Sequence, residues 1–334
     1  MNPRHWYCTL LIAVLWSAAA WAAAEDAQHN EARQWLERMI KATRTLDYEG
    51  DFIYLQGEHL EAMHITHSNQ ADGELQHMIS LNGPMREVVV SNNKVTCLSP
   101  KQQVIFNGSH YSRSSFPISV PKDLSKLEVF YAFKLMGTDR VAGQDTQIIA
   151  IQPRDNLRFG YQLWLDHDTG MVLRSALLDE AGRIVEQMMF TDLRLQPAEM
   201  VKQASLASIT TAAMLNDANA EVVDTEEQTT PAPWVVEHMP GGFEQIMYNR
   251  VPDTPGHQPI DHLVLTDGLV TVSVFVEHLV DAEPLLKGAS RMGAMNAFGT
   301  TLDDDYQVVA VGEVPPATVQ LIASSVKHQP EAVR

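Results

Sequence analysis

TLDYEGDFIYLQGEHLEAMHITH, residues 45–67, decides the fold. From Asp51 the side chains alternate, with Phe52 and Tyr54 before the Gly57 turn and Met63 and Ile65 after it. Alternation over a run bounded by a glycine marks two strands that each bury one face. The stretch follows an amphipathic segment, 30–46, in which Trp35, Met39, Ala42 and Leu46 recur at three- and four-residue spacing, the period of a helix. It carries hydrophobes and hydrogen-bonding side chains but no arrangement usable for catalysis. A helix feeding a strand pair of this kind points to a chain that binds and reports.

Outward from this pair the period of two continues. Strands are predicted over 74–81, 86–91, 94–98 and 103–106, with Asn92-Asn93 as a two-residue hairpin turn, since Asn tolerates positive φ. A helix is predicted over 123–136, with Leu124, Leu127, Phe130, Tyr131 and Leu135 on its apolar side and Gly137 as its stop. Strands return at 146–152. A meander then runs through 161–165, 171–178 and 183–195, with Asp- and Gly-rich turns at 166–170 and 179–182. The first domain is thus a large antiparallel sheet with few helices.

Residues 216–233, NDANAEVVDTEEQTTPAP, hold five acidic residues and no basic or aromatic one, and end in Pro-Ala-Pro. Self-repulsion and proline make this a linker composition. Beyond it, strands are predicted over 234–238, 243–249, 262–265, 270–278, 295–301 and 307–313. A short helix then opens at Pro315-Pro316 and carries Val319, Ile322, Ala323 and Val326 on one stripe. The predicted organisation is a signal segment over 1–24, a first domain over 25–215, a linker over 216–233, a second domain over 234–328 and a tail over 329–334.

The N-terminal assignment rests on Arg4, the apolar run Leu10–Trp16 and small residues that allow cleavage after 22 or after 24. That run is too short to span a bilayer, which takes about 20 residues; a retained anchor is the weaker alternative. Cys8 precedes it, so Cys97 is the one cysteine of the predicted mature chain, favoured as a structural thiol over a nucleophile. The 24 basic and 42 acidic residues give a net charge of −18. Nucleic acid needs a basic face and is not an expected partner.

His64 and His67 fall on opposite faces if they lie on a strand, so with His59 they do not converge on one ion. Asp168-Thr169-Gly170 matches the aspartic-protease tripeptide, but that mechanism uses a pair of carboxylates and this copy sits where a hairpin needs Asp and Gly. Asp303-Asp304-Asp305 lacks the spacing of a calcium loop. No metal, cofactor or catalytic residue is assigned, and no enzymatic activity is expected. Of the 15 methionines, Met63, Met78, Met85, Met171, Met188 and Met189 lie on or beside first-domain strands. They serve either as ordinary core or as the adaptable wall of an apolar pocket. The pocket candidates from alternation are Phe52, Tyr54, Met63, Ile65, Leu163 and Leu173. Whether their faces look into a cavity or pack beneath a helix is left open by sequence.

The segments TLDYEGDFIY, LEAMHITH, SLNGPMREVVVSNNKVTCLSP and GYQLWLDHDTGMVLRSALLDEAGRIVEQMMF resemble the RseB/MucB family of periplasmic sigma-factor regulators. In the second domain Pro240-Gly241-Gly242-Phe243, HLVLTDGLVTVSVFVE and GEVPPATVQLIASSV agree, and the resemblance keeps its order along nearly the whole mature chain. It implies an α+β, mainly β protein. The first domain would be a half-open antiparallel β-barrel with a helical lid, similar to the lipoprotein carriers LolA and LolB, and the second a smaller α+β domain. It implies a periplasmic negative regulator of the envelope stress response. The partner would be the periplasmic region of a transmembrane anti-sigma factor of RseA/MucA type, protected from proteolysis until lipopolysaccharide or the acyl chains of mislocalised lipoprotein cause release. In MucB-type systems the output includes alginate or another exopolysaccharide. The alternative function is a lipid or lipoprotein carrier, for which the second domain would be superfluous. Assembly as a homo-oligomer is left open.

Overall fold

The computed structural model of the protein describes residues 27–70, 73–91, 94–99, 102–107, 118, 120–195, 221–224, 232–251, 259–279 and 284–329. The predicted signal segment, Asn92-Asn93, most of the linker and the last residues of the tail lie outside them.

A helix over 27–45 (α1) leads into the opening strand pair, β1 Tyr48–Gln56 and β2 His59–Gln70. Met63 stands directly opposite Phe52 and Ile65 opposite Gly50, so the apolar members of both strands share one face. The chain continues through β3 Gly73–Ser80, β4 Glu87–Ser91, β5 Lys94–Ser99 and β6 Gln102–Asn107, each antiparallel to the one before. Ser91 pairs with Lys94, which leaves two residues for the connection.

The predicted helix over 123–136 is reduced to one turn, α2 Ser125–Glu128, and the remainder becomes the strand β7 Tyr131–Val141. Leu124, Leu127 and Tyr131 are all buried, which produced the helical spacing. Tyr131 and Phe133 nevertheless alternate, and Phe133 pairs with Ile151 of the next strand. Tertiary pairing outweighed local spacing here. Gly137, at φ 110°, does not stop a helix: it lies where the register shifts between Leu135 and Gly137, at a β-bulge.

The meander follows as β8 Gln144–Pro153, β9 Gly160–Asp166, β10 Val172–Leu178 and β11 Ile184–Leu195. β11 pairs with β1, giving a twelve-stranded sheet in the order β12-β6-β5-β4-β3-β2-β1-β11-β10-β9-β8-β7. Among the described residues its two edge strands are not joined, so the barrel is open. β7 nevertheless comes within contact of β11, four strands away, and the sheet therefore curls. Strand β12 Glu221–Asp224 runs parallel to β6 and falls inside the stretch predicted as a linker. α1 buries Ala32, Leu36 and Met39 against Phe133, Ile149, Leu163 and Leu165, which makes it the helical cover of the sheet.

The second domain is a six-stranded antiparallel sheet in the order β14-β15-β16-β19-β18-β17. Its strands are β14 Glu244–Val251, β15 Ile260–Thr266, β16 Thr271–His278, β17 Gly288–Met292, β18 Met295–Leu302 and β19 Tyr306–Gly312. Helix α3 Pro316–Ser324 packs Val319, Ile322 and Ala323 onto Val272, Val274 and Ala310. A two-stranded ribbon, β13 Trp234–Val236 with β20 Val326–His328, joins the domain's two ends.

Candidate functional site

Two features distinguish the region between the domains: a buried ionic rivet and a cavity beside it. Arg158, between β8 and β9, is wholly buried. Its Nε donates to Oδ2 of Asp267 at 2.8 Å, and its other nitrogens donate to the Asp155 carboxylate and to the Gly241 carbonyl. The Tyr131 hydroxyl donates to the same Asp267 oxygen at 2.8 Å, while Oδ1 accepts from the backbone N–H groups of Leu269 and Val270 at 3.0 Å. Asp267 belongs to the second domain and Arg158, Tyr131 and Asp155 to the first, so one carboxylate ties the two together. Burial and the neighbouring Asp267 charge push the Tyr131 hydroxyl far above its usual range, so it stays a donor.

The guanidinium also lies 4.7 Å from the Phe130 ring centroid and 5.2 Å from that of Phe243. This explains the Pro240-Gly241-Gly242-Phe243 motif. Gly242 has φ +83°, and a Cβ there would fall 2.3 Å from Cε2 of Phe130. Only glycine accepts both the conformation and the contact.

The cavity, about 1340 Å³, opens between α1, residues 120–130 and the β14–β16 side of the second domain. Ile40, Val120, Leu127 and Phe130 give it apolar wall; Lys41, Arg44, Lys122 and Lys126 give it cations within an acidic protein. Lys126 stands 3.8 Å from Glu244, and Arg44 donates to the Val120 carbonyl at 3.4 Å. Glu74, also on the wall, accepts from His67 at 3.0 Å, and that hydrogen bond holds its carboxyl below the ordinary range. Charge of both signs around an apolar strip can receive a peptide segment or an amphiphile.

The six residues chosen from alternation lie elsewhere. The pairing Leu163–Ser175–Met188–Tyr54 runs side by side across β9, β10, β11 and β1, so Leu163 shares the face of Phe52, Tyr54, Met63 and Ile65. Phe52, Ile65 and Leu173 are buried in one cluster with Tyr54 and Met63 packed against it, and Leu163 is buried in the neighbouring cluster beneath α1. None of the six is among the residues lining the cavity. The cavity residues escaped the sequence because they come from α1, a loop and a second domain more than a hundred residues away.

The histidines each take a separate partner. His59 bonds Glu61 at 2.8 Å and His64 bonds Asp51 at 2.7 Å, while His67, on the face opposite His64, is buried between the Leu46 carbonyl and Glu74. Asp168-Thr169-Gly170 forms the β9–β10 turn: Asp166 accepts from Thr169, and Gly170 takes φ 78°. Asp303 and Asp304 form a turn with positive φ between β18 and β19. Burial pushes the half-exposed Cys97 thiol above its usual range, away from nucleophilic character.

Family models described as the MucB/RseB N-terminal domain and the MucB/RseB C-terminal domain match residues 31–215 and 228–327. The chain is 32% identical to the sigma factor AlgU regulatory protein MucB of Pseudomonas aeruginosa, over 97% of this chain and 98% of that one. It is 27% identical to the sigma-E factor regulatory protein RseB of Escherichia coli K12, over 87% and 89%. Its structure is similar to that of MucB in the P. aeruginosa MucA/MucB complex, with TM-score 0.68 and 29% identity over 90% of this chain and 99% of that one. A crystal structure of MucB with MucA(peri) aligns at TM-score 0.66, with 29% identity over 89% and 99%.

Proposed function

The chain belongs to the MucB/RseB family, whose named members are sigma-factor regulatory proteins and not enzymes, and from that premise we propose that it is a periplasmic regulator that binds the periplasmic part of a membrane-spanning anti-sigma factor of MucA/RseA type. The observation that carries the proposal is the likeness, along nearly the whole chain, to MucB seen in complex with MucA. Bound in this way, the protein shields the anti-sigma factor from regulated proteolysis and so keeps the envelope stress response silent. Lipopolysaccharide or the acyl chains of mislocalised lipoprotein release it. The interdomain cavity is the proposed docking place for the partner, because both domains supply its walls and its cations and apolar strip suit an extended peptide.

Release follows from linkage: a lipid that binds the partner-free form more tightly shifts the population toward it, by its differential affinity alone. An acyl chain would reach Leu163 once α1 lifts from the sheet, and from there Phe52, Tyr54, Met63, Ile65 and Leu173 in the adjoining cluster. The test is a protection assay on the cognate anti-sigma periplasmic fragment. The mature protein is expected to slow cleavage of the fragment, and added lipopolysaccharide or lipopeptide to restore it. Unprotected cleavage at micromolar protein would overturn the regulator reading. Protection insensitive to either lipid would overturn the sensing part alone.

A further inference from the structure

The carboxyl-terminal end of α1 is held by a buried histidine whose two ring nitrogens both face acceptors. His67, on β2, is wholly buried. Its Nδ1 lies 2.8 Å from the carbonyl of Leu46, the residue that follows α1, and its Nε2 lies 3.0 Å from Oε1 of Glu74 on β3. A carbonyl only accepts, so Nδ1 carries a hydrogen. An ionised carboxylate also only accepts, and the bond from His67 keeps the Glu74 carboxyl below its ordinary range, so the second proton sits on the ring. Only the imidazolium makes both bonds at once.

Among the described residues, the charged and titratable groups around the ring come from three elements. Tyr48 of β1 stacks on it at 4.8 Å between centroids, and burial holds the Tyr48 hydroxyl well above its usual range and so protonated. Glu74 is on β3, where the neutral Gln76 stands opposite His67. Arg44, in the last turn of α1, is the cation that acts on Glu74, and Asp47 just beyond the helix accepts from the Asn69 N–H at 2.7 Å. At the other end of α1, His29 meets the Phe133 carbonyl at 3.3 Å and Glu128 at 3.2 Å. There Arg33 Nη1 also donates to both Glu128 oxygens, at 3.1 and 3.0 Å, so that end keeps an anchor that does not titrate.

We propose that His67 is a proton-dependent clasp on the last turn of α1: the imidazolium ties the turn to the sheet, and the neutral ring releases it. The neutral ring has one hydrogen to give. A carboxylate is the stronger acceptor, so that hydrogen stays on Nε2 against Glu74, and the Nδ1 lone pair is left facing the Leu46 carbonyl. Two lone pairs repel, and the chain at Leu46 moves away. Because the closed arrangement favours the charged ring, the clasp holds in acid and is lost as pH rises through the histidine's titration. Arg44 and Thr45 of the same turn line the interdomain cavity together with Glu74, so the proton decides whether this part of its wall is fixed. The clasp is independent of what the cavity receives.

Two measurements on the mature protein between about pH 5 and about pH 9, a span that brackets histidine titration, test the clasp. Proton–nitrogen correlation NMR should show hydrogens on both His67 ring nitrogens in acid and on Nε2 alone at the alkaline end. Amide hydrogen exchange, corrected for its intrinsic pH dependence, should lose about ten-fold in protection at residues 42–46 in step with that titration, the change expected when one bond to a charged group is lost. Residues 36–39, nearer the Arg33 anchor, and residues 263–265 in the second-domain core should stay constant. In Glu74→Gln the new amide can donate to Nε2 of the neutral ring and leave Nδ1–H on Leu46, so protection at 42–46 should no longer depend on pH. A His67 ring that carries a single hydrogen throughout overturns the proposal, as does flat wild-type protection at 42–46. So does a full wild-type fall in Glu74→Gln, or an equal fall at 36–39 or 263–265, which would mean helix-wide or global opening.

Discussion

Replacing Asp267 by Ala removes the central acceptor of the domain boundary. The carboxylate receives Tyr131 Oη–H and Arg158 Nε at 2.8 Å and two backbone N–H groups at 3.0 Å. All four donors lose their partner in Asp267→Ala, and Arg158 keeps only Asp155 and the Gly241 carbonyl. Removing one member of a buried ion pair costs about 3–5 kcal/mol, because the other charge stays desolvated. Arg158→Met, by contrast, leaves Asp267 with Tyr131 and both backbone donors, so its cost should be smaller, about 2 kcal/mol. The double variant should lose less than the sum, with a coupling of about 1–3 kcal/mol. Urea unfolding measures all three, with Trp234 reporting the second domain and Trp35 and Trp164 the first. In Asp267→Ala the two domains should also begin to unfold separately. A coupling below about 0.5 kcal/mol, or a cost for Asp267→Ala no greater than for Arg158→Met, refutes the rivet.

Three other perturbations follow from single residues. Gly242→Ala, at φ +83° and against Phe130, should lose about 2–4 kcal/mol by chemical denaturation. Gly57→Ala, at φ +60° in open space, should lose only about 1 kcal/mol, and equal losses would deny the Phe130 contact its role. Tyr48→Phe should leave thermal stability unchanged or raised by about 1 kcal/mol, since its buried hydroxyl has no hydrogen-bond partner among the described residues; a loss above that would show a hidden bond. His262, pushed down to about 4 by burial, packs neutral beside Phe275 and Ser273. Its contribution is present above its ordinary value of 6.5 and is lost as pH falls through about 4. Because the ring is only partly buried, the loss should be on the order of 2 kcal/mol. His262→Gln should flatten that part of the pH–stability profile, and an unchanged profile would contradict it.

The strand framework was legible where alternation and turn chemistry agreed. Asp166-to-Gly170 and Asp179-to-Gly182 carry the side-chain acceptors and positive-φ glycines that hairpins need, and both are turns in the structure. Residues 123–136 misled because Leu124, Leu127 and Tyr131 are buried at helical spacing for unrelated reasons, two from a single helical turn and one from a strand. The acidic composition of 216–233 suggested chain without structure, yet Glu221–Asp224 adds to a sheet edge, where pairing depends on backbone rather than side chain. The six residues chosen by alternation all lie on strands, but alternation could not reveal that Leu163 packs beneath α1 and the others against neighbouring strands. The rivet left only a faint trace, one of two arginines in the polar loop 154–159 and a Gly-Gly pair 83 residues later, which meet only after both domains have folded.

The most direct test of the regulator assignment is titration calorimetry of the mature protein with the periplasmic fragment of its cognate anti-sigma factor. Saturable association at micromolar concentration or tighter, weakened by Lys41→Glu with Lys126→Glu on the cavity wall, is the predicted result. No heat and no co-elution at micromolar concentrations would contradict it.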